Sequence, residues 1–205
     1  LYNTLVGSEA GTAITLGDGN TALGYQNSIA TTEGTYNSIV GSNAFINNIS
    51  GNANSGIGHA ILYNNTADSN TALGYYALFS NTSGTGGVAV GRDAGEFATT
   101  ADNSTFVGFQ AGQGITGVKL TGNNNTALGK DAGLLLQGTA NANTLLGATA
   151  GDNITTGDSN IIIGNGIDAA SATADSQLNI GGWIQGAAGQ ITIGVAASTA
   201  NDGTL

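Results

Sequence analysis

The chain has 205 residues, 35 of them glycine, with no proline, cysteine or methionine, and a formal net charge of −10. Its three cations, Arg92, Lys119 and Lys130, cannot form the basic stripe that nucleic-acid binding or an anionic membrane surface would need, and without cysteine there is no disulfide framework, thiolate metal site or thiol nucleophile. Apolar residues at 40% argue against disorder, the glycines lack the G-x-y period of collagen, and the missing methionine fits a fragment or a processed product.

In chain order, one short phrase keeps returning. It reads "NTALG" at residues 20–24, 70–74 and 125–129, "NSIVG" at 37–41, "NTLLG" at 143–147 and "NIIIG" at 160–164. Its closing glycine falls at Gly7, Gly24, Gly41, Gly58, Gly74, Gly91, Gly108, Gly129, Gly147, Gly164, Gly181 and Gly194. Most gaps are 17 residues; the longest, Gly108 to Gly129, is 21. A period this short lies below the helical and leucine-rich repeats and predicts one coil of a parallel β-solenoid per repeat. Twelve coils, each of two short strands and two turns, stack at about 4.8 Å into a rod on the order of 60 Å long. Residues 1–164 form the regular repeats, and 165–205 a divergent C-terminal section.

Within each phrase, the residue before the glycine (Val6, Leu23, Val40, Ile57, Leu73 and so on) is always Val, Ile or Leu. It shares a strand face with the Thr two places earlier, and it is predicted to be the inner core. The position between them points the other way: Ala22, Ile39, Ala72, Ala89, Phe106, Ala127, Leu145 and Ile162. Apolar on both faces, the strand needs a second cover, so this middle column is predicted to contact a sister chain. Three residues past the glycine comes an alanine column (Ala44, Ala77, Ala94, Ala111), often followed by Gly, which predicts a tight turn. A weaker second strand is expected at Ala13–Gly17 and Ile154–Gly157, and the other turn is rich in Asp and Asn. The recurrent Asn itself (Asn20, Asn37, Asn54) is expected to form a stacked amide ladder.

The phrases "NTALGYQ", "SNTSGTGGVAVGRDAG", "NNNTALGKDAG" and "GDSNIIIGNG" resemble the repeat region of bacteriophage tail-fibre proteins. The core pattern is also similar to the head repeats of trimeric autotransporter adhesins, a left-handed parallel β-roll. "ADSQLNIGGWIQG" at 174–186 resembles the segment that often precedes the intramolecular chaperone of such fibres. The resemblance implies a parallel homotrimer, a virion or other extracellular setting, other tail proteins and a host surface glycan or receptor as partners, and attachment as the task. A bacterial adhesin head is the alternative. Cleavage or truncation at Leu205 would explain a missing chaperone.

Candidate sites follow from where the repeat varies. The position after the glycine reads Tyr25, Ser42, His59, Tyr75, Arg92, Phe109, Lys130. Arg92 and Lys130 flank Phe109, one coil on either side, which suits cation–π stacking; Asp93 and Asp131 stand ready to pair with them. Tyr25, His59, Tyr75, Arg92, Phe109 and Lys130 form a candidate receptor-contact stripe, against the plainer expectation of a stiffening ladder. The four extra residues of the long gap predict a protruding loop with Lys119, Asn123 and Asn124 as recognition candidates. Trp183 is expected to cap the core. No enzyme is expected: the acids fall at turn positions, not as a pair flanking a cleft. The lone His59 has no triad partners, and the Asp column is interrupted by Thr85, against shared calcium sites. No cofactor or metal is expected. A polysaccharide depolymerase or an ice-binding solenoid are rival classes; for ice, the rank beside Thr is Leu or Val, not a second Thr.

Overall fold

Only three positions of each repeat alternate cleanly, and those three form the strand. The computed structural model describes residues 2–187 and 190–193; the register mark at Gly194 and the chain end at Leu205 lie outside the described residues. The strands are β1 (Thr4–Val6), β2 (Thr21–Leu23), β3 (Ser38–Val40), β4 (Ser55–His59), β5 (Thr71–Tyr75), β6 (Val88–Val90), β7 (Thr105–Val107), β8 (Thr126–Leu128), β9 (Thr144–Leu146), β10 (Ile161–Ile163), β11 (Leu178–Ile180), β12 (Ile184–Ala187) and β13 (Gln190–Ile193). They form one sheet in sequence order. Strands β1 to β11 pair in parallel, each residue opposite its repeat equivalent, as in Thr21↔Ser38, Ala22↔Ile39 and Leu23↔Val40. The fold is a β-solenoid with coils about 17 residues apart.

Three details depart from the sequence expectation. The second strand does not form: Ala13–Gly17 and Ile154–Gly157 are turns and bends, leaving one strand per coil. The parallel register runs past residue 164 to Ile180 and then stops, because β12 returns antiparallel to β11 and β13 antiparallel to β12. The Ile193 position is therefore a hairpin strand, not a twelfth coil. Trp183 does not cap the core. It sits in the turn leaving β11, its N–H donating to the Ile180 carbonyl (3.0 Å), and is 63% exposed.

The largest correction concerns which face is inside. The middle column is the core: Ala22, Ile39, Ala72, Ala89, Phe106, Ala127, Leu145 and Ile162 are all at most 1% exposed. The aliphatic column faces out, with Leu23 at 44%, Ile57 at 57%, Leu73 at 44% and Leu128 at 43%. The physical reason is width. With one strand per coil, the space inside is shared with the turns, whose alanine column (Ala44, Ala77, Ala94, Ala111, Ala132) and larger side chains (Ile61, Leu62, Leu136, Ile154) are all 0% exposed, and so narrow a coil has no room for a further full row of Leu from the strand.

The turn also sends large side chains into the core. Phe45, Leu62 and Leu78 hold left-handed backbones (φ 56, 48 and 50) and are buried in coils whose strand column is Ile39, Gly56 and Ala72. Left-handed φ in a bulky residue costs about 1–2 kcal/mol, offset here by filling the core. Where the strand supplies Phe106, the same turn position is Gly112, whose absent Cβ would lie 2.1 Å from the Phe106 ring.

Two hydrogen-bonded ladders run along the rod in opposite senses. In the buried one, each Asn backbone N–H donates to the Asn Oδ1 of the preceding coil: Asn20 to Asn3 (2.8 Å), Asn37 to Asn20 (2.9 Å), Asn54 to Asn37 (3.0 Å) and Asn70 to Asn54 (2.9 Å). The Gly87 N–H still donates to Asn70 (2.8 Å), but Gly87 has no side chain to accept from Ser104; past that one gap the ladder resumes, Asn125 donating to Ser104 Oγ (3.2 Å), and continues through Asn143 and Asn160 to Gln177. In the outer ladder, the N–H donates to the following coil: Thr35 to Asn52, Asn52 to Asp68, Thr85 to Asp102, Asp102 to Asn123 and Asn123 to Asn141 (2.7–2.8 Å). Each such bond contributes on the order of 1 kcal/mol. Together they satisfy the turn amides that an isolated coil would leave open.

Candidate functional site

From Gly7 to Gly164 the register glycine follows the three paired positions of each coil with φ between 132 and 152° and turns the chain sharply. The next residue therefore projects from the corner between the outward sheet face and the alanine turn. In β4 and β5 the pairing extends through this corner, with Gly58↔Gly74 and His59↔Tyr75 in register.

Five of the six stripe residues form one continuous ladder. The His59 and Tyr75 rings stack at 5.2 Å and 18°, and His59 Nδ1 hydrogen-bonds Ser42 Oγ in the coil before (2.9 Å). The Arg92 guanidinium lies 5.8 Å from the Tyr75 centroid and 5.7 Å from that of Phe109, and Lys130 Nζ sits 5.9 Å from Phe109 on the other side. Tyr25 stands apart, separated from His59 by the short side chain of Ser42, although it is half exposed like the others.

The carboxylates beside the cations anchor them. Arg92 Nε lies 3.2 Å from Asp93 Oδ2, with the Asp93 side chain only 8% exposed, and Lys130 pairs with Asp131 in the same way. Both aspartates have left-handed backbones (φ 58 and 56), and each N–H donates to the carbonyl of the stripe residue one coil earlier, Asp93 to Tyr75 and Asp131 to Phe109 (both 2.8 Å). Asp131 Oδ1 is buried without a hydrogen-bond partner.

A second aromatic group, not singled out in the sequence, adjoins the stripe. Tyr75 and Tyr76 have centroids 4.1 Å apart, Tyr76 and Phe79 4.8 Å, and Phe79 stacks on Tyr63 at 5.0 Å. Tyr75 beside it pushes the Tyr76 hydroxyl above the ordinary tyrosine range, chiefly through their hydrogen bond. The signal was available in "YYALF" at 75–79, whose spacing carries three rings around one turn.

The long gap does protrude, but as a smaller feature than expected. Ile115 and Val118 bridge antiparallel across Thr116 and Gly117, and Leu120 rejoins the stack between Ala98 and Gly138. Lys119 folds back, its Nζ 4.4 Å from the Phe97 centroid and 3.3 Å from Ser80 Oγ. Asn123 and Asn124 are not on the protrusion. Asn123 is a rung of the outer ladder, and Asn124 has the left-handed turn conformation (φ 60), its N–H bound to the Asp102 carbonyl (2.9 Å).

Compared with family models, with curated proteins and with solved structures, the chain has no match. No helix among the described residues is long and apolar enough to cross a membrane.

Proposed function

We propose that this chain is a self-associating attachment rod, a shaft or tip segment of a bacteriophage tail fibre in which three parallel copies pack side by side. Its task is mechanical and adhesive, not catalytic, and the stripe at the glycine corner faces the host surface. The single observation that carries self-association is the outward face of the sheet. There, a rank of Thr, Ser or Val (Thr4, Thr21, Ser38, Ser55, Thr71, Val88, Thr105) runs beside a rank of Leu, Val or Ile, and no charged residue occupies either.

Eleven strands at about 4.8 Å give a ribbon about 50 Å long, and two side-chain ranks make it about 10 Å wide. About half of that footprint of about 500 Å² is the continuous aliphatic rank and the rest mostly Thr and Ser methyl and hydroxyl groups; an uncharged ribbon with an unbroken apolar ridge of a few hundred Å² has the character of an interaction surface. The short Thr rank and the longer aliphatic rank form a step and a ridge. A ridge seated on a neighbour's step repeats around a closed ring, which suits cyclic symmetry with the rod axes parallel. The two axial ladders support a mechanical role, since they join every coil to the next.

Sedimentation equilibrium tests the reading. The wild-type chain is expected to sediment as a trimer, and a Leu73→Glu/Leu146→Glu variant as a folded monomer with unchanged circular dichroism. A wild-type monomer at micromolar concentration would remove self-association.

A further inference from the structure

We infer that the depression beside Tyr75 and Arg92 binds a carboxylate-bearing sugar, an acidic residue of a surface glycan. The inference rests on the attachment reading and names the class of receptor it engages.

Arg92 is held like a tool. Tyr75 and Phe109 bracket its guanidinium at 5.8 and 5.7 Å, and Asp93 takes the Nε edge at 3.2 Å. That edge accounts for part of the guanidinium's five N–H donors. The terminal amino groups form an end-on fork with no partner among the described residues, on a side chain 63% exposed. Such a fork matches the two oxygens of a carboxylate. Because rings and aspartate fix its plane in advance, little side-chain entropy remains to be lost on binding.

The space beside this fork is a depression of about 400 Å³ lined by Tyr75 and Arg92. One wall is an aromatic ring and the other a cationic fork. A pyranose presents C–H groups to the first, and its carboxylate reaches the second. Faces closed by stacking suit edge contact, so the sugar packs against the exposed rim of Tyr75 and does not lie flat on the ring.

Charge distribution points the same way. The chain has 13 acids and three Lys or Arg, yet two of those three cations, Arg92 and Lys130, flank the single Phe109 ring of this stripe. Arg92 and Lys130 lie two coils apart, about 10 Å along the rod, so an acidic glycan running along the axis meets a second cation after a short step. The paired Asp93 and Asp131 make the stripe neutral overall. The site therefore selects by geometry and not by field, and a ligand without a planar carboxylate gains little there.

Polygalacturonate serves as the probe and dextran as its neutral control, with binding to the intact rod measured by biolayer interferometry at neutral pH. Polygalacturonate is expected to bind at least about tenfold more tightly than dextran. Arg92→Lys, which keeps the charge and removes the planar fork, is expected to lose about tenfold in affinity. Lys130→Gln should lose about threefold, and all variants should keep wild-type sedimentation and circular dichroism. Equal binding of dextran, or an unchanged Arg92→Lys, overturns the site while leaving the rod intact. A wild-type rod that assembles but binds neither polymer overturns the acidic-sugar assignment without touching self-association.

Discussion

The two faces of each parallel strand invite comparison, because both carry aliphatic side chains and behave in opposite ways. Leu145 is fully buried and Leu146, its neighbour, is 41% exposed; Ile162 is fully buried and Ile163 half-buried. The inner face packs against an alanine wall within the same chain. The outer face has nothing of its own chain against it. Hydrophobicity alone therefore does not define a core here. Available width does, and the surplus of apolar side chains is carried outside, where only another molecule can cover it.

Adjacent residues offer the sharpest way to break this comparison. Ala127 is fully buried, and Leu128 is 43% exposed. Ala127→Asp puts an unpaired charge in a dry core and should cost at least about 4 kcal/mol, seen as loss of the cooperative thermal transition by circular dichroism. Leu128→Asp should leave the fold of the single chain intact and act on association alone, read by sedimentation. If Leu128→Asp unfolds the chain and Ala127→Asp does not, the faces have been assigned the wrong way round.

The period, the strand position and the Asn ladder are legible in the sequence because each uses a residue type with a narrow physical job. Gly is needed at the corner, Asn bonds both ways along the axis, and Thr-x-Leu alternates. Sidedness is not legible from alternation, which fixes that two columns oppose each other but not which is inside. The clue was size: Gly56, Ala72, Ala89 and Ala127 make this column the smaller of the two, although it also holds Phe106. The stripe was readable because one column varies while its neighbours repeat. The Tyr75–Tyr76–Phe79 group was not, since it runs around the coil and not along it. Asn123 and Asn124 misled for a related reason: the insertion precedes them, and they are ordinary turn rungs.

The corner that divides the two faces gives a second, smaller test. Gly91 has φ +134, and a Cβ there would sit 2.3 Å from the Gly108 carbonyl oxygen. Gly91→Ala must therefore push two coils apart or bend the strand end, and a loss of about 3 kcal/mol is expected from chemical denaturation. Gly117, at the tip of the insertion, has open space around it. Gly117→Ala should change stability by less than about 0.5 kcal/mol. Equal effects at the two sites would mean that the corner is not constrained by stacking.

The smallest effect concerns charge on the turn wall between the faces. Partial burial, with a hydrogen bond to the Asp168 carboxyl and the nearby charges of Asp168 and Asp131, raises Asp152 from 3.8 to about 6. A carboxyl whose folded value lies above its unfolded value holds its proton more tightly in the native state. Folding is therefore favoured most below the unfolded value, and that advantage falls as pH rises through about 6. Above that, both carboxylates are ionised side by side and repel. The thermal midpoint should thus rise modestly as pH falls from about 7 to about 5. Asp18 does not mask the effect, because its hydrogen bond from the Tyr2 N–H lowers its value and moves its own titration further into acid. Asp152→Asn keeps the hydrogen bond to Asp168 and removes one charge. It should raise the midpoint slightly at neutral pH and flatten the slope between about pH 5 and 7. A slope unchanged by Asp152→Asn would assign the pH dependence to another group and leave Asp152 and Asp168 as independent surface acids.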